Sequence, residues 1–433
     1  MAKHTRKWPI LSMGLTMLTL CNVCLAQWQE HEVYQYNGVD ADWSILPAKF
    51  QVVSESWNRK VACPYLVYMP EKDRVLMGIG FCNYPKGPKK WHGMLLSSDN
   101  HGTTWTNPRY LHTNKQGEPD TGPIGGLTYI DQGHLLVDTG TSTWYSSDYG
   151  QVWSDPVPIP PTQEGSRWYG EKRYVDIDPT TGKATTLWGS GWSTVPDTDS
   201  VQAYLRYSND GGRTLSPSLM VPQWFGVNEV RLIRAANGDF VAAGRIAPPE
   251  KYKGRLDHYE GLGVSISKDN GRTWSRMNIL YEWGRHHQSM VLLPNGHIVM
   301  SHVVRLGYTD ADDGLPRFGV EAIVSRDHGQ TWDLDHKYIL AIWKGNKTGE
   351  NYWWSSSQRS TSVLLPNGSI LTGFGTGYRN QDHPEGFAPR DIAVVHWRPN
   401  NKRLNNNNRT IANASFDSNL RNIFDASDVK NTH

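Results

Sequence analysis

Apolar and polar positions alternate with a period of two through most of the chain, and the alternation is broken at short intervals by glycine, asparagine, aspartate and proline. That pattern predicts strands joined by tight turns rather than helices. Six strand-turn-strand units can be read: Pro64 to Gly80, Ile124 to Thr139, Arg173 to Trp188, Glu229 to Arg245, His287 to Val303 and Arg359 to Gly375. Four of them turn on glycine, at Asp131-Gln132-Gly133, Asn237-Gly238, Pro294-Asn295-Gly296 and Pro366-Asn367-Gly368, as hairpins do.

Between these units a second theme recurs, Ser-x-Asp-x-Gly-x-Thr-Trp. It begins at Ser98, Ser146, Ser208, Ser267 and Ser325, with Asn100 in the Asp place of the first copy and Leu215 for Trp in the third. An acidic side chain that bonds the amides of its own turn, a glycine at positive φ and a tryptophan that packs between sheets make a hairpin loop. Five copies at intervals of roughly 50 to 60 residues point to radial repetition. The expected fold is all-β, a six-bladed β-propeller spanning residues 27–398. The strand Ile392 to Trp397 either closes its own blade or meets the N-terminal segment around Phe50 to Val53.

Lys3, Arg6 and Lys7 precede an apolar run from Trp8 to about Leu20, and Cys24-Leu25-Ala26 follows. This reads as a signal peptide over residues 1–26, and so as a secreted or periplasmic protein, a lipid-anchored form being the lesser alternative. No later segment is apolar enough for a membrane span. Residues 399–433, with the run Asn405 to Asn408, read as a polar tail. A formal net charge of +2 gives no general pull toward nucleic acid. Cys63 and Cys82 either pair or stay as thiols, and no spacing suggests a metal or another cofactor.

The first strand of each propeller blade lines the central channel, so equivalent positions converge. Nine residues back from the turn glycine stand Ile124, Arg173, Glu229, His287 and Arg359, with Ala62 to Pro64 near the matching place in the first unit. A carboxylate, an imidazole and guanidinium groups facing one another can supply an acid, a base and an anion clamp.

The repeated loops, Asn228-Glu229, Asn237-Gly238 and Gly244-Arg245 resemble the sialidase (neuraminidase) superfamily of Asp-box propellers over roughly Val61 to Trp397. The resemblance implies that Glu229 activates the nucleophile and that Arg245 and Arg317 belong to a carboxylate-binding triad. Three positions depart from the pattern. Ala62 replaces the first triad arginine, the loop from Phe81 to Gly93 lacks the acid Asp, and Arg359 stands where the nucleophilic Tyr would be. The chain therefore reads as a divergent member. Its expected catalytic set is Glu229, His287, His92 and Tyr352, with Arg173, Arg245, Arg317 and Arg359 for the substrate.

The expected partner is a glycan bearing a carboxylate or sulfate. The expected activity is hydrolysis of that glycan. Alternatives are a polysaccharide lyase or rhamnosidase-like propeller acting on uronate polymers, or glycan binding without catalysis.

Overall fold

The computed structural model describes residues 28–36, 43–57, 60–82, 90–255, 257–306, 316–345, 356–377 and 390–400. The leader over residues 1–26 and all of the tail beyond Asn400 lie outside them. Apart from three single-turn 3-10 segments the described chain is strand and loop. None of its helices is long and apolar enough to cross a membrane.

The strands run in chain order. β1 (Gln29–Tyr36) and β2 (Trp43–Val52) form an N-terminal hairpin. β3 (Lys60–Met69), β4 (Arg74–Cys82), β5 (Trp91–Ser98) and β6 (Arg109–Tyr110) make the first four-stranded sheet. β7 (Gly126–Asp131), β8 (His134–Thr139), β9 (Ser142–Ser146) and β10 (Val157–Pro158) make the second. The third contains β11 (Tyr169–Gly170), β12 (Tyr174–Ile177), β13 (Ala184–Thr194), β14 (Val201–Ser208) and β15 (Leu219–Phe225). The fourth contains β16 (Val227–Arg234), β17 (Phe240–Ile246), β18 (Gly261–Ser267) and β19 (Asn278–Tyr281).

A nine-stranded sheet holds the rest: β20 (Arg285–Leu292), β21 (Ile298–Val304), β22 (Arg317–Ser325), β23 (Tyr338–Lys344), β24 (Gln358–Leu364), β25 (Ile370–Thr376) and β26 (Asp391–Trp397). Its order is β20-β21-β22-β23-β1-β2-β26-β25-β24. Each of the six expected units is thus an antiparallel pair, and the N-terminal hairpin meets the last strand, Phe50 opposite Val395 and Val52 opposite Ala393.

The first strands of the hairpins meet in a closed ring, in a β-propeller arrangement. The Leu66 amide donates to Thr361 Oγ1 at 3.2 Å and the Ser362 amide to Ser289 Oγ at 2.9 Å, tying β3 to β24 and β24 to β20. Gln288 Nε2 donates to the Glu229 carbonyl at 2.7 Å, tying β20 to β16. The Arg173 amide donates to Thr128 Oγ1 at 2.9 Å, joining the third sheet to β7.

The five repeated loops explain how neighbouring sheets hold together. In each, the serine hydroxyl accepts the glycine amide, at 2.8 Å for Ser98, Ser208, Ser267 and Ser325 and 3.0 Å for Ser146. Each glycine lies at positive φ against a side chain of the preceding hairpin's second strand: Gly102 on Leu371, Gly150 on Leu76, Gly212 on Leu136, Gly271 on Trp188 and Gly329 on Val241. A methyl group there would either contact or collide with that side chain. Trp153, Trp274 and Trp332 are buried in the same clefts, and their indole nitrogens donate to the glycine carbonyls.

Candidate functional site

Four of the inner strands carry a β-bulge at the same place, and in each the bulged residue has a left-handed backbone without being glycine. They are Cys63 (φ 53°), Glu229 (φ 47°), His287 (φ 51°) and Arg359 (φ 28°). Such a conformation costs about 1–3 kcal/mol per residue and is found where a side chain must be aimed. Counting back nine residues from the turn glycine reaches Glu229, His287 and Arg359 because these three hairpins have the same length from bulge to turn, whereas the hairpin of Cys63 turns at Asp73 without a glycine.

Three of the four side chains meet. Nδ1 of His287 lies 2.6 Å from Oε2 of Glu229, and the other carboxylate oxygen accepts from NH2 of Arg359 at 3.1 Å. NH1 of Arg245 is 3.5 Å from Oε2. Below them Glu171 accepts from NH1 of Arg359 at 2.6 Å and lies 2.9 Å from NH2 of Arg231. Above them Arg245 also bonds Glu260, and Arg305 places NH1 2.6 Å from Asp257 and donates NH2 to Nε2 of His287 at 3.3 Å. Side-chain exposure rises from 3% at Glu171 through 13% at Glu229 to 26% at Asp257, so the cluster opens on the Asp257 side.

Burial alone would push the Glu229 carboxyl up, but the close contact with His287 and the charges of Arg359 and Arg245 outweigh it and hold it well below its ordinary value. The same contest, with Arg305 as the main cation, keeps Asp257 ionised. Burial lowers His287 to about 4 despite the attraction of Glu229. At neutral pH the site therefore holds an ionised carboxylate against a neutral imidazole, ringed by guanidinium groups. Tyr65 extends the floor: its buried ring lies 5.1 Å from the Arg359 guanidinium and 5.5 Å from that of Arg231, and burial pushes its phenol up.

The expected set divides accordingly. Glu229, His287, Arg245 and Arg359 come together. Arg173 does not: its NH2 donates to Asp138 at 3.0 Å and to Thr143 at 3.0 Å, forming a buried link between the second and third sheets. It sits just before β12, where there is no bulge to turn it inward, and Glu171 in the gap between β11 and β12 fills the central place instead. His92 is not in a loop but in β5, buried, with Nδ1 against the Thr121 carbonyl at 3.2 Å. Arg317 opens β22, half-buried, opposite Lys344. Tyr352 lies outside the described residues.

Cys63 and Cys82 are not joined in a disulfide, the first being half-buried and the second buried. Among the described residues no group of histidine, cysteine, aspartate and glutamate is placed to hold a metal ion.

Glu171, Arg231, Asp257, Glu260 and Arg305 were not marked by counting. Arg231 could have been found, since it follows Glu229 by two along a strand and shares its face.

No family model matches the sequence. A xyloglucanase from Paenibacillus sp is 26% identical over 197 residues, covering 42% of this chain and 18% of that protein; the chain spans less than a fifth of that relative. Among solved structures, a protein of unknown function from Dyadobacter fermentans matches at TM-score 0.58 and 15% identity, over 85% of this chain and 98% of that one. A Hadza microbial sialidase matches at 0.54 and 16%, over 78% and 66%. The NanB sialidase from Streptococcus pneumoniae matches at 0.52 and 11%, over 78% and 68%. With these likenesses beside its ring of inner strands, the chain has the fold of the sialidase-like propellers.

Proposed function

We propose that this chain is an exported six-bladed propeller enzyme that cleaves a glycosidic bond in an anionic glycan at the cluster centred on Glu229. Six blades follow if the nine-stranded sheet is divided at β1 into β20 to β23 and β24 to β26 with β2. The observation that carries the activity is the Glu229–His287 pair at 2.6 Å inside a ring of arginines. Arginine suits carboxylate and sulfate because its planar fork can donate twice. In hydrolysis Glu229, already ionised, serves as the base that activates the attacking group, while Arg245 and Arg359 orient the substrate's acid group. The names of the relatives, a xyloglucanase and sialidases, support glycosidic cleavage.

A second reading is favoured by the protonation states. Glu229 and Asp257 are held ionised, so neither offers a proton to a leaving group, whereas His287 is neutral and can take up a proton at Nε2 once substrate displaces Arg305. In a lyase an arginine neutralises a uronate carboxylate, the imidazole removes the adjacent C5 proton, and the electron pair left behind forms the C4–C5 double bond as the C4–O bond breaks, the departing oxygen taking a proton from water.

The two reactions separate in one assay on sialosides and uronate polysaccharides, following reducing ends and ultraviolet absorbance together. Reducing ends without absorbance, abolished in Glu229→Gln, are expected for hydrolysis. Absorbance that survives Glu229→Gln and is lost in His287→Ala indicates elimination. Silence across the panel refutes cleavage of these two glycan classes and leaves binding alone or another substrate. Export is tested separately, by N-terminal sequencing of the extracellular protein, which is expected to begin near Gln27.

A further inference from the structure

Trp153, Trp274 and Trp332 of the repeated loops are buried between sheets, but a second population of aromatic rings is half-exposed and adjoins residues of the Glu229 cluster in the sequence. On the third sheet Tyr169 and Trp192 are cross-strand partners with ring centroids 4.6 Å apart and planes 21° off parallel. Tyr169 precedes Glu171 by two residues, so this stack stands beside the carboxylate that holds Arg359 and Arg231. In the connection after β17 of the fourth sheet Tyr252 and Tyr259 lie 4.4 Å apart, with Trp283 edge-on to Tyr252 at 6.1 Å. Tyr259 stands between Asp257 and Glu260, the two residues that hold Arg305 and Arg245.

Both groups carry an exposed cation. Arg167 lies 4.8 Å over the Tyr169 ring and Lys251 4.9 Å over that of Tyr252. Aromatic faces stack on the C–H faces of pyranose rings, and a cation beside such a face suits a ring that bears an acid group.

We infer that the two aromatic groups, on neighbouring sheets beside residues of the Glu229 cluster, are sugar-binding subsites, so that the ligand is an extended chain of acidic sugars rather than one terminal residue. This rests on the glycan reading of the same site and specifies its substrate class.

Binding, not turnover, tests it. The Glu229→Gln protein is run through gels containing polygalacturonate, hyaluronan or sialylated mucin. Disaccharide and hexasaccharide fragments of whichever polymer retards it most are then titrated calorimetrically. The hexasaccharide is expected to bind at least tenfold more tightly than the disaccharide. Trp192→Ala and Tyr252→Ala, each in the Glu229→Gln background, are expected to remove most of that gain while leaving disaccharide affinity within twofold. Equal affinities for the two lengths, unchanged gain in both aromatic variants, or no retardation by any of the three polymers would overturn the inference. Because no product is measured, the subsites can fail while cleavage stands, and cleavage can fail while the subsites stand.

Discussion

Replacing His287 by Gln removes an imidazole that the fold keeps neutral. Its value in the unfolded chain is about 6.5, whereas burial lowers it to about 4 in the native protein. Between these values the unfolded chain binds a proton that the native protein does not, so stability must fall as pH falls through this window. Integrating the linkage between pH 7.5 and pH 4.5 gives a loss of about 2.5 kcal/mol attributable to this one group. His258, buried and also lowered to about 4, adds a comparable loss that the substitution leaves in place. Glu229 acts in the same direction but lower down. Its depressed value means that the stability it contributes is present above the ordinary carboxylate range and fades only as pH falls through the native value.

Urea unfolding of wild type and His287→Gln at the two pH values gives the difference of differences directly. Wild type is expected to lose about 2.5 kcal/mol more than the variant on acidification. Equal losses would mean that His287 titrates in the native site as it does in the unfolded chain, and the lowering drawn from its burial would fall with that result.

Other substitutions separate the site from its frame. Asp138→Asn breaks the buried pair with Arg173 and is expected to cost about 3–5 kcal/mol of unfolding free energy while leaving kcat of the folded enzyme within twofold; a large fall in kcat would return Arg173 to the site. Ser325→Ala leaves the Gly329 amide without its acceptor and is expected to cost about 1–3 kcal/mol, read from the urea midpoint. A melting curve like that of wild type would deny these loops their role in joining sheets. With a thiol reagent the native protein is expected to react at half-buried Cys63 and not at Cys82, and at both once unfolded. Two rapid native reactions, or none with a disulfide found by mass, would refute that assignment.

How far the sequence reveals the site depends on whether a residue's direction is set locally. Glu229, His287 and Arg359 were legible because each lies at a fixed distance from a turn, and the bulge that aims it belongs to the hairpin itself. The loops were legible for the same reason: serine, aspartate and glycine satisfy one another within eight residues. Arg173 satisfies the same count, yet its strand is interrupted between Gly170 and Tyr174, and its direction is decided by Asp138 on another sheet. Distance along the chain says nothing about that. Likewise His92 reads as a loop residue until its pairing with Phe81 places it inside β5.

Arg305 and Asp257 show the harder limit, since they reach the site from a strand end and an insertion and find each other only when the ring closes. The closure is itself non-local. It depends on β2 pairing with β26 across more than three hundred residues, and through β26 on the position of β24, which carries Arg359. The strain in the four left-handed bulges is then held by the whole ring rather than by any one hairpin. A change that weakens the β2–β26 seam, such as Val395→Asp beneath Phe50, should therefore loosen the Arg359–Glu229 contact before it disturbs the hairpin that contains Glu229. Hydrogen exchange would register this as earlier opening of β24 than of β16, and simultaneous opening would mean that each bulge is supported within its own sheet.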